Sequence, residues 1–465
     1  MRPRGRVVVL AAVVVSSSAL LHCVGDEPKT GIVGEDEDGS ISGNGDGAVG
    51  GDGAASSEAG GPSDGGTGDV DACTTSPCII EVSAGGAHTC TRATDGVVRC
   101  WGANHFGELG SGSVFPSGTS ADPTVVPNMS AKPLIVPGLT DVTALGTGGS
   151  YTATGMSCAN LKSGKIQCWG VNSVGNLGRG GSGTTPLSPK PALPVPADVT
   201  TITNAVSLGA GVQNACAVLQ GGAVACWGSY DYGALNQTMA SGSWTGSPFV
   251  ITLAAGATAK KVAIAGEHVC VLTDSGGVQC WGENGGGGNG PPGGNNTQVT
   301  VQIIELPEAM KDVDVGREFS CAVATSGAAY CWGEAGHLGR NPTETVSDPM
   351  AALVALPTGT KAVQIASGSY NSCILSDAGE VYCWGTHAGG CGPGTLSPLP
   401  GGTQLPTKVT GFPAKPVHLE GGHCHMCALL EGGGVACWGD NPNGELGQTP
   451  LADGGPNLVP TLVQF

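Results

Sequence analysis

Basic residues are scarce in this chain of 465 residues: 19 Lys and Arg stand against 37 Asp and Glu, for a formal net charge of −18. That balance excludes a nucleic-acid binder, which needs a basic face to neutralise phosphates. Aromatic residues make up only 4% of the chain, so bulky rings cannot fill a large core throughout. The one long apolar run lies near the N-terminus and is shorter than a membrane-spanning helix requires. What the chain has instead is 82 glycines and 19 cysteines.

The cysteines are ordered. Cys-Trp-Gly begins at Cys100, Cys168, Cys226, Cys280, Cys331, Cys383 and Cys437, and ten residues before each stands Cys90, Cys158, Cys216, Cys270, Cys321, Cys373 or Cys427. Six residues after each first cysteine there is a glycine, from Gly96 to Gly433. Seven copies at fixed offsets mark a repeat architecture. The spacing predicts a hairpin. Pairing Cys90 with Cys100 also pairs Thr91 with Arg99 and Arg92 with Val98, and leaves Thr94-Asp95-Gly96 as a three-residue loop. Glycine falls where such a loop turns left-handed. The cysteines then occupy a non-hydrogen-bonded pair, close enough for a disulfide. Each staple should contribute roughly 3 kcal/mol in the chain-entropy view.

Alternating stretches such as "KVAIAG" and "VQIASG" precede the hairpins, and short apolar runs such as "PLIVPG" and "PFVITL" precede most of these. Period two with β-branched residues predicts strands. The unit is four strands without a helix, and seven units predict an all-β, seven-bladed β-propeller. The first unit, starting at Ile79, lacks room for a leading strand. The spare "PNLVPTLVQF" at the C-terminus is expected to complete that blade, closing the ring by joining N- and C-terminal strands and hiding an open edge.

The stretch "GGAHTCTRATDGVVRCWGANHFGELGSG" resembles the repeat of the regulator of chromosome condensation (RCC1) propellers, over about residues 79–465. The element Gly-x-Leu-Gly is clear at 107–110, 175–178 and 444–447 and decays in the third and fourth units. The slot of His88 is filled in turn by Met156, Asn214, His268, Phe319, Asn371 and His425. The added cysteines depart from the eukaryotic pattern and imply an exported version.

Residues 1–22 read as a signal peptide, with Arg2, Arg4 and Arg6 before an apolar run. "LLHC" puts Cys23 where a bacterial lipoprotein is lipidated, although His22 departs from that pattern; cleavage after Ala19 would instead give a secreted protein. Residues 23–71, rich in Gly, Ser and acids, read as a disordered tether, and 72–465 as the propeller. The expected location is the bacterial envelope, on the outer membrane or cell surface, with membrane contact only through the lipid. Lipidation of Cys23 leaves an even number of cysteines. Cys73 with Cys78, and Cys391 with Cys424, are possible further pairs that the sequence does not assign.

Chemistry-bearing clusters are few. "HCHMC" at 423–427 could offer zinc ligands, but Cys427 belongs to a hairpin and His425 to the repeat, so no metal or cofactor is expected. The Asp-Gly turn resembles the Asp-box of sialidases, but the propeller has only five arginines, and no nucleophile set recurs. The chain therefore reads as a non-enzymatic, monomeric binding scaffold for a protein or glycan. The alternatives are a secreted inhibitor similar to β-lactamase-inhibitory propellers and, less favoured, a carbohydrate-active enzyme. The loop after Trp227 holds Tyr230, Tyr232, Trp244 and Phe249, an aromatic cluster in an aromatic-poor chain. These four are the expected binding residues.

Overall fold

The computed structural model describes residues 73, 76–112, 128–150, 155–188, 190–237, 239–266, 268–290, 297–341, 346–385, 405–451 and 456–465. Residues 1–22 and 23–71, expected from the sequence to be signal and tether, and with them Cys23, lie outside the described residues, as does Cys391.

Seven antiparallel sheets follow one another along the chain. Blade 1 comprises Ile79–Ala84, His88–Ala93, Val98–Ala103 and Met129–Ile135; blade 4 comprises Ala259–Ala265, His268–Thr273, Val278–Glu283 and Thr297–Ile304; blade 7 comprises Pro416–Gly421, His425–Leu430, Val435–Gly439 and Asn457–Leu462. The other four blades repeat this order, and no α-helix occurs among the described residues. The second and third strands form the expected hairpin. Cys90 faces Cys100, with Thr91 opposite Arg99 and Arg92 opposite Val98. All seven hairpins carry their disulfide, with Cα atoms 4.0–4.1 Å apart. The seven turn glycines have φ between 76° and 90°, a conformation that side chains rarely tolerate. Cys73 also pairs with Cys78, and Cys424 is disulfide-bonded as well.

The strand phase differs from the expectation. The apolar run before each inner strand pairs backwards, with the Cys-Trp-Gly strand of the preceding unit: Leu134 faces Cys100. It is therefore the outer strand of the blade already begun. Accordingly Asn457–Leu462 pairs with Val435–Gly439, with Thr461 opposite Cys437. The C-terminal strand completes blade 7, not blade 1, and no strand is exchanged at the closure among the described residues. An outer strand needs the free edge of a Cys-Trp-Gly strand, and its own unit supplies one.

The apolar core is divided into seven, one at each boundary between neighbouring blades, and each holds one tryptophan of the repeat. Six of these indoles donate Nε1–H to a backbone carbonyl of the preceding blade: Trp101 to Glu445, Trp169 to Glu108, Trp227 to Asn176, Trp281 to Ala234, Trp332 to Gly288 and Trp384 to His337, at 2.6–3.0 Å. The equivalent segment before Trp438 lies outside the described residues. A buried indole N–H needs such an acceptor, and this one fixes the spacing between blades. The inner strands have an unpaired edge towards the ring axis, and side chains of the preceding blade satisfy it. Leu145 N–H donates to Glu81, Ile365 N–H to Asp312, Ser367 N–H to Asp314 and Leu419 N–H to Gln364, at 2.7–2.9 Å.

Candidate functional site

The antiparallel order sorts the connections between two faces. One face carries the uniform three-residue hairpin turns and the links from each outer strand to the next blade. The other carries the short turns between first and second strands, near the axis, and the unequal loops after Cys-Trp-Gly. The loops after Cys-Trp-Gly differ most from blade to blade, whereas the links on the hairpin face stay short, at 5–8 residues. Variable loops on a rigid ring are where binding surfaces are built.

The repeat histidines are joints between blades. His425 meets Thr89 of blade 1 at 2.9 Å, His88 meets Ser157 of blade 2 at 2.8 Å, and His268 meets Ser320 of blade 5 at 3.0 Å. Burial holds His88 down at about 4 and His425 and His268 at about 3, so all three are neutral near pH 7. In the 423–427 cluster His423 bonds Ser369, and Cys424 and Cys427 are in disulfides, so its donors are committed elsewhere. His268 also approaches Cys270 and Cys280, but those two sulfurs are bonded to each other and offer no thiolate.

Of the four residues expected to bind, Tyr230 and Tyr232 lie in the loop after Trp227, on the loop face, whereas Trp244 and Phe249 belong to the outer strand Trp244–Ile251, with Phe249 opposite Cys226 in mid-blade. Tyr230 and Phe249 are half-buried and stack, with centroids 6.1 Å apart. Tyr232 falls in the 3-10 turn Asp231–Gly233. Trp244 is turned inward. It is 8% exposed and donates Nε1–H to Thr185 O at 2.9 Å. The segment Ser182–Gly183 pairs with it as a fifth strand of blade 3. What Trp244 can offer a partner is the shape of the loops it holds, not its ring face.

A second aromatic cluster lies on the same face nearer the axis, and it is not among the residues expected from the sequence. Phe319, His337, Tyr370 and His423 form a chain of rings across blades 5, 6 and 7, with successive centroids 5.0, 5.9 and 5.6 Å apart. Arg317 donates to the Tyr370 hydroxyl at 3.1 Å. His337 is the variable residue of Gly336-His337-Leu338-Gly339, a further clear copy of Gly-x-Leu-Gly that could have drawn attention to it.

Two buried glutamates occupy that same variable position in blades 1 and 7. Burial pushes Glu108 up to about 7 and Glu445 up to about 8, although each accepts backbone N–H bonds. The Glu108 side chain lies against Gly155 of blade 2, and the Glu445 carboxylate bonds to Asn443 in its own loop.

Family models for the regulator of chromosome condensation (RCC1) repeat match residues 79–108, 259–287, 326–375 and 362–392. Human E3 ubiquitin-protein ligase HERC2 is 28% identical over 373 residues, 67% of this chain but only 7% of its own length. The ultraviolet-B receptor UVR8 of Arabidopsis thaliana is 27% identical over 380 residues, covering 79% of this chain and 78% of the receptor. Among solved structures, Prp20p of Saccharomyces cerevisiae superposes with a TM-score of 0.65 at 20% identity, over 79% of this chain and 85% of Prp20p. Human WBSCR16 gives 0.63 at 18% identity, over 84% and 99%. Family models of the RCC1 repeat thus match in blades 1, 4, 5 and 6, and the chain folds as an RCC1-like seven-bladed propeller.

Proposed function

We propose that this chain is an exported, envelope-anchored RCC1-repeat propeller that binds a protein partner on its loop face and performs no chemistry of its own. The observation that carries this reading is how its recurring polar groups are used. The tryptophan N–H groups and the three repeat histidines bond blade to blade, whereas the loop face gathers unequal loops and two aromatic clusters. Partner binding among similar propellers supports it: Prp20p is described with binding properties to Gsp1p and histones, and Kap60 is bound to yeast RCC1. Anchoring rests on "LLHC" and the tether, which suit capture beside a membrane more than turnover of a diffusing metabolite.

The test is site-specific photo-crosslinking on cells of the native host. A crosslinker at Tyr230 or Tyr370 should trap one protein species, and one at Asp95 or Asp377, on the hairpin face, should not. Equal trapping from both faces, or a glycan as the sole ligand, would overturn the reading. For the anchor, Cys23→Ala should move the protein from the detergent phase to the soluble fraction.

A further inference from the structure

Blade 3 departs from the repeat at two places on its boundary with blade 4, and at both it carries a shorter side chain. The first place is on its inner strand, Ala205–Ala210. Glu81, Asp312 and Gln364 of other blades reach across to an N–H of the next inner strand. The same position in blade 3, opposite the residue two after the first cysteine, is Ser207. The matching N–H in blade 4 is that of Val262, which faces Val271 as Leu145 faces Ala159. Ser207 is 1% exposed, and its hydroxyl has no hydrogen-bond partner among the described residues.

The second place is the histidine slot. His88, His268 and His425 each meet a hydroxyl of the next blade. That hydroxyl also donates to the carbonyl that holds the indole: Ser157 to Glu108 O, Ser320 to Gly288 O and Thr89 to Glu445 O, at 2.9–3.0 Å. Blade 3 has Asn214 in the slot, and blade 4 has Val269 where the hydroxyl would be. Asn214 is fully buried, yet neither its Oδ1 nor its Nδ2 has a partner among the described residues. Its amide lies at the boundary, since a methyl on Gly211 would touch Asn214 Oδ1 as well as Gly266 O and Ile264 Cγ2 of blade 4. The carbonyl here, Ala234 O, accepts Trp281 Nε1–H at 2.9 Å.

We propose that two buried waters complete this boundary, one joining Ser207 Oγ to Val262 N–H and the other joining the Asn214 amide to Ala234 O. Serine ends two bonds short of the Gln364 oxygen. Asparagine ends one bond short of the far histidine nitrogen and faces no hydroxyl. At both places an atom that the repeat supplies is missing between a buried polar side chain and a buried backbone group, and a water supplies it. Blade 2 is the contrast. It has Met156 in the slot, Ala144 at the axial position and Ala215 next in line, so no side-chain hydroxyl or amide is brought to either place. Ala234 belongs to the loop that carries Tyr230, so the second water also seats that loop on the ring, whatever the loop binds.

The test is a crystal structure of the full chain and of two repeat-like variants. The wild type should show one solvent peak within about 2.7–3.2 Å of Ser207 Oγ and another at that distance from Asn214 Nδ2, with none at Met156. Ser207→Gln copies blade 6 and should expel the first peak only. Asn214→His with Val269→Ser copies the joint of His268 and Ser320 and should expel the second only. Denaturant unfolding gives a readout that needs no crystal. Ser207→Ala removes the hydroxyl but leaves Val262 N–H behind, so a hydrated joint lowers the folding constant about fivefold, whereas a bare hydroxyl would raise it. Absence of either peak, a Ser207 or Asn214 bonded directly to protein groups, a peak that survives its graft, or a Ser207→Ala variant as stable as the wild type or more so would overturn the proposal.

Discussion

At the scale of single residues, the repeat shows which positions recur, and the structure shows what each one bonds. The histidine slot was legible as a slot. Its partner was not legible, because the hydroxyl lies one repeat later, just before the next first cysteine. A partial signal is in the chain: units carrying His425, His88 and His268 are followed by Thr89, Ser157 and Ser320, and Met156, Asn214 and Asn371 by Ala215, Val269 and Met426, but Phe319 is followed by Ser372, which bonds Ser367 instead. Ser320→Ala should therefore strand a buried imidazole nitrogen and cost about 1–3 kcal/mol in denaturant unfolding. The buried glutamates give a pH test. Glu445 ordinarily titrates near 4.5 and is held at about 8 in the folded chain, with Glu108 at about 7. A raised folded value means that the folded state holds its proton more tightly. That stabilisation is complete below about pH 4.5 and is lost as pH rises to about 8. The three buried histidines work in the opposite direction, losing stability as pH falls below 6.5. Glu445→Gln removes only the first effect. Its melting temperature should match the wild type at pH 4.5–5 and exceed it increasingly by pH 8; parallel curves would show that the carboxyl is not buried as described.

At the scale of elements, the hairpin was the most legible feature. A ten-residue cysteine spacing with glycine at offset six leaves one register that pairs the sulfurs and turns on the glycine, and the structure has that register in all seven blades. Replacing Cys321 and Cys331 together by Ala should lower unfolding free energy by about 3 kcal/mol, the value expected for a short closed loop. The outer strand was less legible. A short apolar run between two Cys-Trp-Gly motifs can pair with either, and the pattern carries no direction. The cover over Trp244 was not legible at all, because Ser182–Gly183 is two residues long and has no periodicity to read. This burial changes what the aromatic loop can show. Trp244→Ala should cost about 3 kcal/mol through the space it leaves and should open residues 181–188 to proteolysis. Tyr230→Ala should do neither. A Trp244→Ala variant with wild-type stability and an intact 181–188 segment would restore Trp244 as a surface anchor.

At the scale of the whole molecule, seven repeats and their order were enough to specify a ring, but not how it shuts. Among the described residues, the joint between blades 7 and 1 is made by side chains and by residues 463–465 rather than by an exchanged strand. Trp101 Nε1–H reaches Glu445 O, His425 reaches Thr89, and Ile79 N–H donates to Gly433 O at 3.1 Å. Val463 packs in the same core as Trp101, and Phe465 meets that indole edge-on with centroids 5.9 Å apart. The C-terminal segment therefore does two jobs: Asn457–Leu462 gives blade 7 its outer strand, and Val463 and Phe465 cover Trp101. The two can be separated. Phe465 is 40% exposed, so Phe465→Ala should cost only about 1 kcal/mol and keep one cooperative transition. Removing residues 457–465 should strip the outer strand and uncover Trp101, so that acrylamide quenches tryptophan emission more strongly and unfolding begins at lower denaturant. The other six boundaries keep their bonds, so the hairpin disulfides should stay resistant to mild reductant in blades 3 to 5 and yield first in blades 7 and 1. If instead the shortened chain unfolds with unchanged midpoint and quenching, the ring is held by its inner strands alone and the C-terminal clamp is only a cover.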